Sequence, residues 1–197
     1  MIEREIMRVI TGEYKGRKIN APEGLNVRPT GDKIKGAVFN MLADEIIDAT
    51  VIDLFAGSGS LAIEALSRGA AKCIFIDNSR DSIATINDNL RHISGGRGDD
   101  RAITCTTVEQ ADFRIALRRY GGIKANIVLA DPPYEGGYYE EIMQLLDRYD
   151  IIIPGGILVL ESPDRLDLPD ESNGFAKQKE RKHGKTKITI YERIMTE

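Results

Sequence analysis

The chain has 197 residues, of which 42% are apolar and 29% charged, enough for one globular domain with a small extension. No apolar run approaches membrane-spanning length and no apolar segment follows the N-terminus, so the expectation is a cytoplasmic protein without a membrane partner. Net charge is −4, so bulk charge does not point to a nucleic-acid binder, yet residues 1–40 carry eight Lys and Arg against five acids, and residues 177–193 carry seven against two. On charge alone these ends read as solvated loops. Cys73 and Cys105 lie in apolar, strand-like runs and are expected as core thiols. His92 and His183 are the only histidines, and no metal site is expected.

Residues 6–10 and 14–19 read as two strands around Thr11-Gly12-Glu13, a hairpin whose surface carries Arg8, Lys15, Arg17 and Lys18. Thr30 is placed to cap a helix reaching about residue 47, with Asp32 in its first turn and Ile34, Val38, Met41 and Leu42 as its apolar stripe. Residues 51–55 form the next strand, followed at once by Ala56-Gly57-Ser58-Gly59-Ser60. A helix bearing Leu61, Ala62, Ala65 and Leu66 then ends at Gly69. Residues 73–77 are a strand, and Asn78 or Ser79 caps a helix with Ile83, Ile86 and Leu90 turned inward. Residues 94–100 read as a surface loop, 103–107 as a strand, and Asp112-Phe113 as the start of a helix to about residue 119. The strand 126–130, a helix marked by Ile142, Leu145 and Leu146, and the strand 157–160 follow. A polar segment, 164–174, precedes an antiparallel strand at 187–192. Strands alternating with helices imply an open, mostly parallel α/β sheet.

In such a sheet, ligands bind beyond the carboxyl ends of the strands. Asp53 through Gly59, Asp77, Asp112 and Asp131 all fall at such ends. Gly57 and Gly59 permit a tight turn and close approach of a ligand to the backbone. Asp77, twenty residues after Gly57, is placed to accept both hydroxyls of a ribose. Nicotinamide dinucleotides and S-adenosylmethionine (AdoMet) both use this arrangement. The acid at Asp53, four residues before the first glycine, would repel a pyrophosphate and suits a ligand with an ammonium and a sulfonium. AdoMet is the expected cofactor, with Asp53, Phe55, Ala56, Gly57, Ser58, Gly59, Asp77 and Asn78 as its contacts. Asp112 is placed to bond an adenine amino group with Phe113 against the ring, or to cap the helix that follows.

Ala130-Asp131-Pro132-Pro133-Tyr134 ends the strand 126–130. Two prolines fix their own φ and restrict their predecessors, so the peptide is stiff. It holds a carboxylate, a carbonyl and a ring face in fixed relation, which suits a flat group bearing an NH2.

Asp53-Leu-Phe-Ala-Gly-Ser-Gly-Ser-Leu, Asp77 and Asp131-Pro-Pro-Tyr134 together resemble the AdoMet-dependent amino-group methyltransferases of nucleic acids. Met7-Arg-Val-Ile-Thr-Gly-Glu-Tyr-Lys-Gly-Arg-Lys, Val27-Arg-Pro-Thr30, Asp32-Lys33, Phe39-Asn40 and His183-Gly-Lys-Thr186 narrow the resemblance to the RsmD-type bacterial enzymes, which methylate guanine N2 of small-subunit (16S) ribosomal RNA. The resemblance implies a Rossmann-like class I AdoMet-dependent methyltransferase fold: a seven-stranded, mostly parallel sheet with an antiparallel last strand, in residues 31–197. It also implies an N-terminal β-hairpin extension, residues 1–30, in contact with RNA. S-adenosylhomocysteine would be the product, and ribosomal RNA or the small ribosomal subunit the partner of a monomeric enzyme. Asp131, Pro132 and Tyr134 would carry catalysis. Pro133, Arg8, Lys15, Arg17, Lys18, Arg28 and Lys33 would contact substrate, while Arg28 and Thr30 could instead close over the cofactor. Adenine-N6 methylation of DNA or RNA, methylation of a protein amide, a dinucleotide-dependent oxidoreductase and an AdoMet-binding RNA protein without catalysis are the competing readings.

Overall fold

The computed structural model describes residues 7–22, 31–95, 101–133 and 137–194. Arg28, Thr30 and Tyr134, and with them the expected cap of the first helix, lie outside the described residues. The elements are β1 (Met7–Arg8), β2 (Lys18–Ile19), α1 (Asp32–Leu42), β3 (Thr50–Asp53), α2 (Ser60–Ser67), β4 (Lys72–Asp77), α3 (Arg80–Ser94), α4 (Arg101–Thr104), β5 (Thr106–Gln110), α5 (Phe113–Arg119), β6 (Ala125–Ala130), α6 (Tyr139–Arg148), β7 (Ile152–Pro163), β8 (Glu171–Ser172), β9 (Phe175–His183) and β10 (Thr186–Arg193).

The main sheet has eight strands in the order β5-β4-β3-β6-β7-β10-β9-β8, the last of them only two residues long. The five strands from β5 to β7 are parallel; β10 runs antiparallel to both its neighbours. Side chains alternate across the sheet, so each strand feeds two cores. Val51, Cys73, Phe75, Ile127 and Leu129 pack with the hairpin, α1, α2 and α3, while Ile52, Ile74, Ile76, Val128 and Leu160 pack with α5 and α6. Among the described residues no helix is long and apolar enough to cross a membrane.

Three local expectations change. The hairpin ladder is only two residues on each side, because the chain turns through both Gly12 and Gly16 at positive φ. Residues 101–104 are helical, and β5 begins at Thr106, whose Oγ1 donates to the Ala102 carbonyl at 3.0 Å; the half-buried Cys105 is thus a linker residue, not a strand residue. A short apolar run does not by itself distinguish strand from helix end. The strand β9 breaks the apolar rule altogether. Phe175 is its one fully buried side chain, and Lys179, Glu180, Arg181 and Lys182 are exposed. Burial of neighbouring β10 holds it in register rather than any apolar alternation of its own.

The hairpin is fastened to the sheet through α2. Glu64 is fully buried in that helix, and its carboxylate accepts the Ile10 N–H at 2.7 Å, the Thr11 N–H at 3.0 Å and Arg68 Nε at 2.8 Å. Buried Lys35, from α1, lies 3.8 Å away and donates to the Arg8 carbonyl. Burial lowers the Lys35 pKa, and the Glu64 charge opposes that. One turn on, Ser67 accepts the Tyr14 N–H and donates to the Thr11 carbonyl. The contact is close enough that a Cβ on Gly12, at φ +90°, would fall 1.8 Å from the Ser67 carbonyl oxygen.

Removing the Glu64 carboxylate leaves two amide donors and Arg68 Nε without their acceptor and takes one of two facing carboxylates from the buried Lys35 ammonium, a loss of about 3–5 kcal/mol. Glu64→Ala is therefore expected to lower the melting temperature by roughly 10 °C. Removal of the exposed Asp88–Arg91 pair by Asp88→Ala should be nearly silent. Equal thermal unfolding curves for the two variants would sink the assignment of Glu64 as the fastening.

Candidate active site

Four acids expected at strand ends, Asp53, Asp77, Asp112 and Asp131, all line one cavity of about 270 Å³. The glycine loop is shaped by backbone bonds. The Leu54 N–H donates to the Leu129 carbonyl and the Ala56 N–H to the Ile76 carbonyl, both at 3.0 Å, tying the loop to strands on either side. Gly57 and Gly59 have φ of +54° and +78°. A Cβ on Gly59 would also sit 3.1 Å from the Phe75 ring, so this glycine is required by close packing as well as by the turn.

The Asp77 carboxylate is clamped by two amides, accepting from Gly57 N at 2.8 Å and Ser79 N at 2.8 Å. It thus locks the glycine loop to the end of β4 while keeping lone pairs for hydroxyl donors. Asp53 is 1% exposed. Burial first, then the negative charge of Asp131, pushes its pKa up to about 7, against backbone N–H bonds from Ala62 and Phe55. Among the described residues its Oδ2 has no hydrogen-bond partner. An orphaned, buried carboxylate oxygen in a cavity wall fits a ligand that brings a cationic donor, as the ammonium of AdoMet would.

Phe55, Ala56, Gly57, Ser58, Asn78, Phe113 and Pro133 also line the cavity. Gly59 and Pro132 do not; Gly59 makes the turn into α2, and Pro132 is buried beneath the corner. Asp112 caps α5, its side chain accepting from Arg114 N at 2.9 Å, and the residue also lines the cavity. Lys15, Arg17, Lys18, Arg8 and Lys33 are exposed and none enters this cavity.

The structure adds residues that the sequence did not single out. Tyr138 forms an aromatic wall with Phe55 and Phe113, at centroid distances of 6.4 and 5.6 Å. Arg114 lies over both Phe113 and Tyr138 and is held by Glu141 at 2.5 and 2.7 Å. Met7, Ala21 and Pro22 bring the N-terminal extension into the cavity wall. Fully buried Asn89 explains how: its amide donates to the carbonyls of Asn20 and Ser58, and its oxygen accepts the Asn20 N–H. The signal for Asn89 was a polar residue within the apolar stripe of α3.

Asp53 makes stability depend on pH. An acid whose folded pKa is raised binds its proton more tightly when folded, so stability falls as pH rises from about 4, the ordinary value, to about 7. That loss is on the order of 4 kcal/mol. In urea titrations across this range, Asp53→Asn is expected to remove that part of the fall; an unchanged slope would contradict the raised pKa of the buried Asp53 carboxyl.

The family model described as conserved hypothetical protein 95 matches residues 7–192. A relative in Bacillus subtilis, named a putative rRNA methyltransferase, is 34% identical over 95% of this chain and 99% of its own length. The ribosomal RNA small subunit methyltransferase D of Escherichia coli is 31% identical over 95% of this chain and 90% of its own. The solved structure of a putative methyltransferase from Escherichia coli superposes with a TM-score of 0.83, at 31% identity, over 97% of this chain and 99% of that one. The sheet order and the carboxyl-edge cavity are those of the Rossmann-like class I AdoMet-dependent methyltransferase fold, and the chain belongs to the RsmD-type methyltransferase family.

Proposed function

We propose that this protein transfers a methyl group from AdoMet to the exocyclic N2 amine of a guanine in small-subunit (16S) ribosomal RNA. One observation carries the reading: the stiff Asp131-Pro132-Pro133 corner opens into the same cavity as the unpartnered Asp53 carboxylate oxygen and the clamped Asp77. A site for a reluctant amine and a site for a cationic nucleoside thus share one wall. The names of the Bacillus subtilis and Escherichia coli relatives support ribosomal RNA as the substrate.

When bound, AdoMet supplies a methyl group already activated by its sulfonium. The work of the chain is to bind and to aim. Asp77 would accept the ribose hydroxyls without moving, because two amides already fix its carboxylate. Asp53 would hold the ammonium, and Phe113 and the Asp112 carboxylate would hold the adenine. The Asp131 carboxylate and the Pro132 carbonyl accept the two N–H bonds of the target amine, which draws the nitrogen toward tetrahedral geometry and directs its lone pair into the cavity. Tyr134 stacks on the base, which must be unpaired or flipped out of the stack. Orientation of this kind contributes about 7–11 kcal/mol. The amine loses its proton readily once it becomes cationic, so Asp131 need not be a strong base.

Asp131→Ala is expected to keep the AdoMet dissociation constant within about threefold and to lower kcat by on the order of a hundredfold or more, the scale of losing a positioned acceptor. The measurement is transfer of labelled methyl to 30S particles and to protein-free 16S rRNA, with nucleoside analysis of the product. Near wild-type turnover by the variant would remove Asp131 from this role. N6-methyladenosine as the product would overturn the choice of base and leave the corner's role standing.

A further inference from the structure

Across β1 from the cofactor cavity lies a second concavity. Met7 lines the cavity, and Arg8, the next residue of the strand, lines an open groove of about 530 Å³. Successive residues of a strand face opposite ways, so one two-residue strand serves as the partition. Three segments distant in sequence build the groove: the hairpin through Arg8, α1 through Lys33 and Asn40, and the end of β9 through Arg181 and His183.

The charges there are unspent. Arg8, Lys33 and Arg181 are exposed, and among the described residues none of the three is in an ion pair. The one acid in the lining is Asp32, whose carboxylate already faces the Arg8 N–H at 3.5 Å and Lys35 Nζ at 3.8 Å. Lys177, Lys179, Lys187 and Arg193 of the basic C-terminal segment behave differently. Lys177 is bound to the Leu168 carbonyl and Asp170, Lys179 reaches the Met41 carbonyl, Lys187 is buried against Asp167 and Glu180, and Arg193 pairs with Asp147. Those four side chains are thus engaged, while Arg181, Lys182 and Lys185 have no ion pair among the described residues, and of these three Arg181 lines the groove, beside His183. Among the described residues the buried His183 Nε2 has no hydrogen-bond partner. A buried ring nitrogen without a partner, set in the wall of a cationic groove, marks a position where a ligand oxygen would complete the bonding.

The groove is also at the reacting edge. β9 is antiparallel to β10 and β10 to β7, so β9 ends at the carboxyl edge of the parallel strands; Thr186 is paired with both Pro163 and His183. Asp131 follows β6 at that edge.

We propose that this groove takes the phosphate backbone of the RNA strand flanking the target base. Arg8, Lys33 and Arg181 contact phosphates, and the His183 Nε2–H donates to a phosphate or ribose oxygen. The proposal rests on the reading of the protein as an RNA methyltransferase and gives the RNA a second arm, the tip of β9, facing the N-terminal hairpin. Contacts of this kind fix register without reading sequence, so they act on affinity and leave the chemical step alone.

The test compares wild type with Arg181→Glu, His183→Ala and, as a control, Lys72→Glu, an exposed charge at the opposite edge of the sheet. Binding to 30S particles and to protein-free 16S rRNA is measured over a range of salt, together with AdoMet affinity and methyl transfer. Arg181→Glu is expected to weaken RNA binding about tenfold and to reduce the slope of log K against log salt by about one phosphate's worth. The KM for RNA should rise with it, with kcat at saturating RNA and the AdoMet dissociation constant unchanged. His183→Ala should raise the KM for RNA several-fold with the same pattern. Variants that bind RNA as Lys72→Glu does, while wild type methylates it, overturn the groove alone. Wild-type protein that transfers no methyl group to either RNA overturns the underlying reading, and the groove with it.

Discussion

A carboxylate with no access to water holds this molecule in its working shape. Glu64 sits in the middle of an apolar helix, and a buried charge is tolerable only when its lone pairs are filled. Here they are filled by the chain's own N-terminal amides and by Arg68, with Lys35 close by. The cost of burying the charge thereby becomes a reason for the hairpin to be in place, since Ile10 and Thr11 leaving would expose the full penalty. Met7, Ala21 and Pro22 in turn form part of the cavity wall, so the cavity inherits part of its boundary from Glu64, a residue that does not line it.

The parts of the site that were legible in the sequence are those whose chemistry is local. A strand followed at once by Asp53-Leu-Phe-Ala-Gly-Ser-Gly can do little but turn sharply at the sheet edge, and Asp77 at the end of the next strand must arrive beside it. The proline pair after β6 is stiff wherever it occurs. What escaped depends on contacts between distant segments. Glu64 and Asn89 each interrupt an apolar stripe, which identifies a buried polar residue but not its partner 54 or 69 residues away. Tyr138 and Arg114 meet only because α5 and α6 pack side by side. β9 reads as a solvated charge run because its stability comes from β10, whose Ile188, Ile190 and Tyr191 are buried.

The same strand shows how one composition can serve two ends. Most of the outer edge of β9 is not covered, since β8 pairs only with Phe175 and Ala176. An uncovered edge invites pairing with another chain, and a row of like charges discourages it. Carboxylates of the same chain pair with Lys177 and Lys187, and the charges that face away keep the edge apart from its copies.

Asn89 has a consequence for energetics. One side-chain amide holds Asn20, where the extension leaves the hairpin, and Ser58, inside the glycine loop. Its hydrogen bonds cannot be kept if either segment moves alone. Free energy that favours one arrangement of the loop is therefore shared with the extension, and by reciprocity the same amount returns when the extension is the one engaged. The N-terminal extension and the glycine loop meet in a single buried carboxamide.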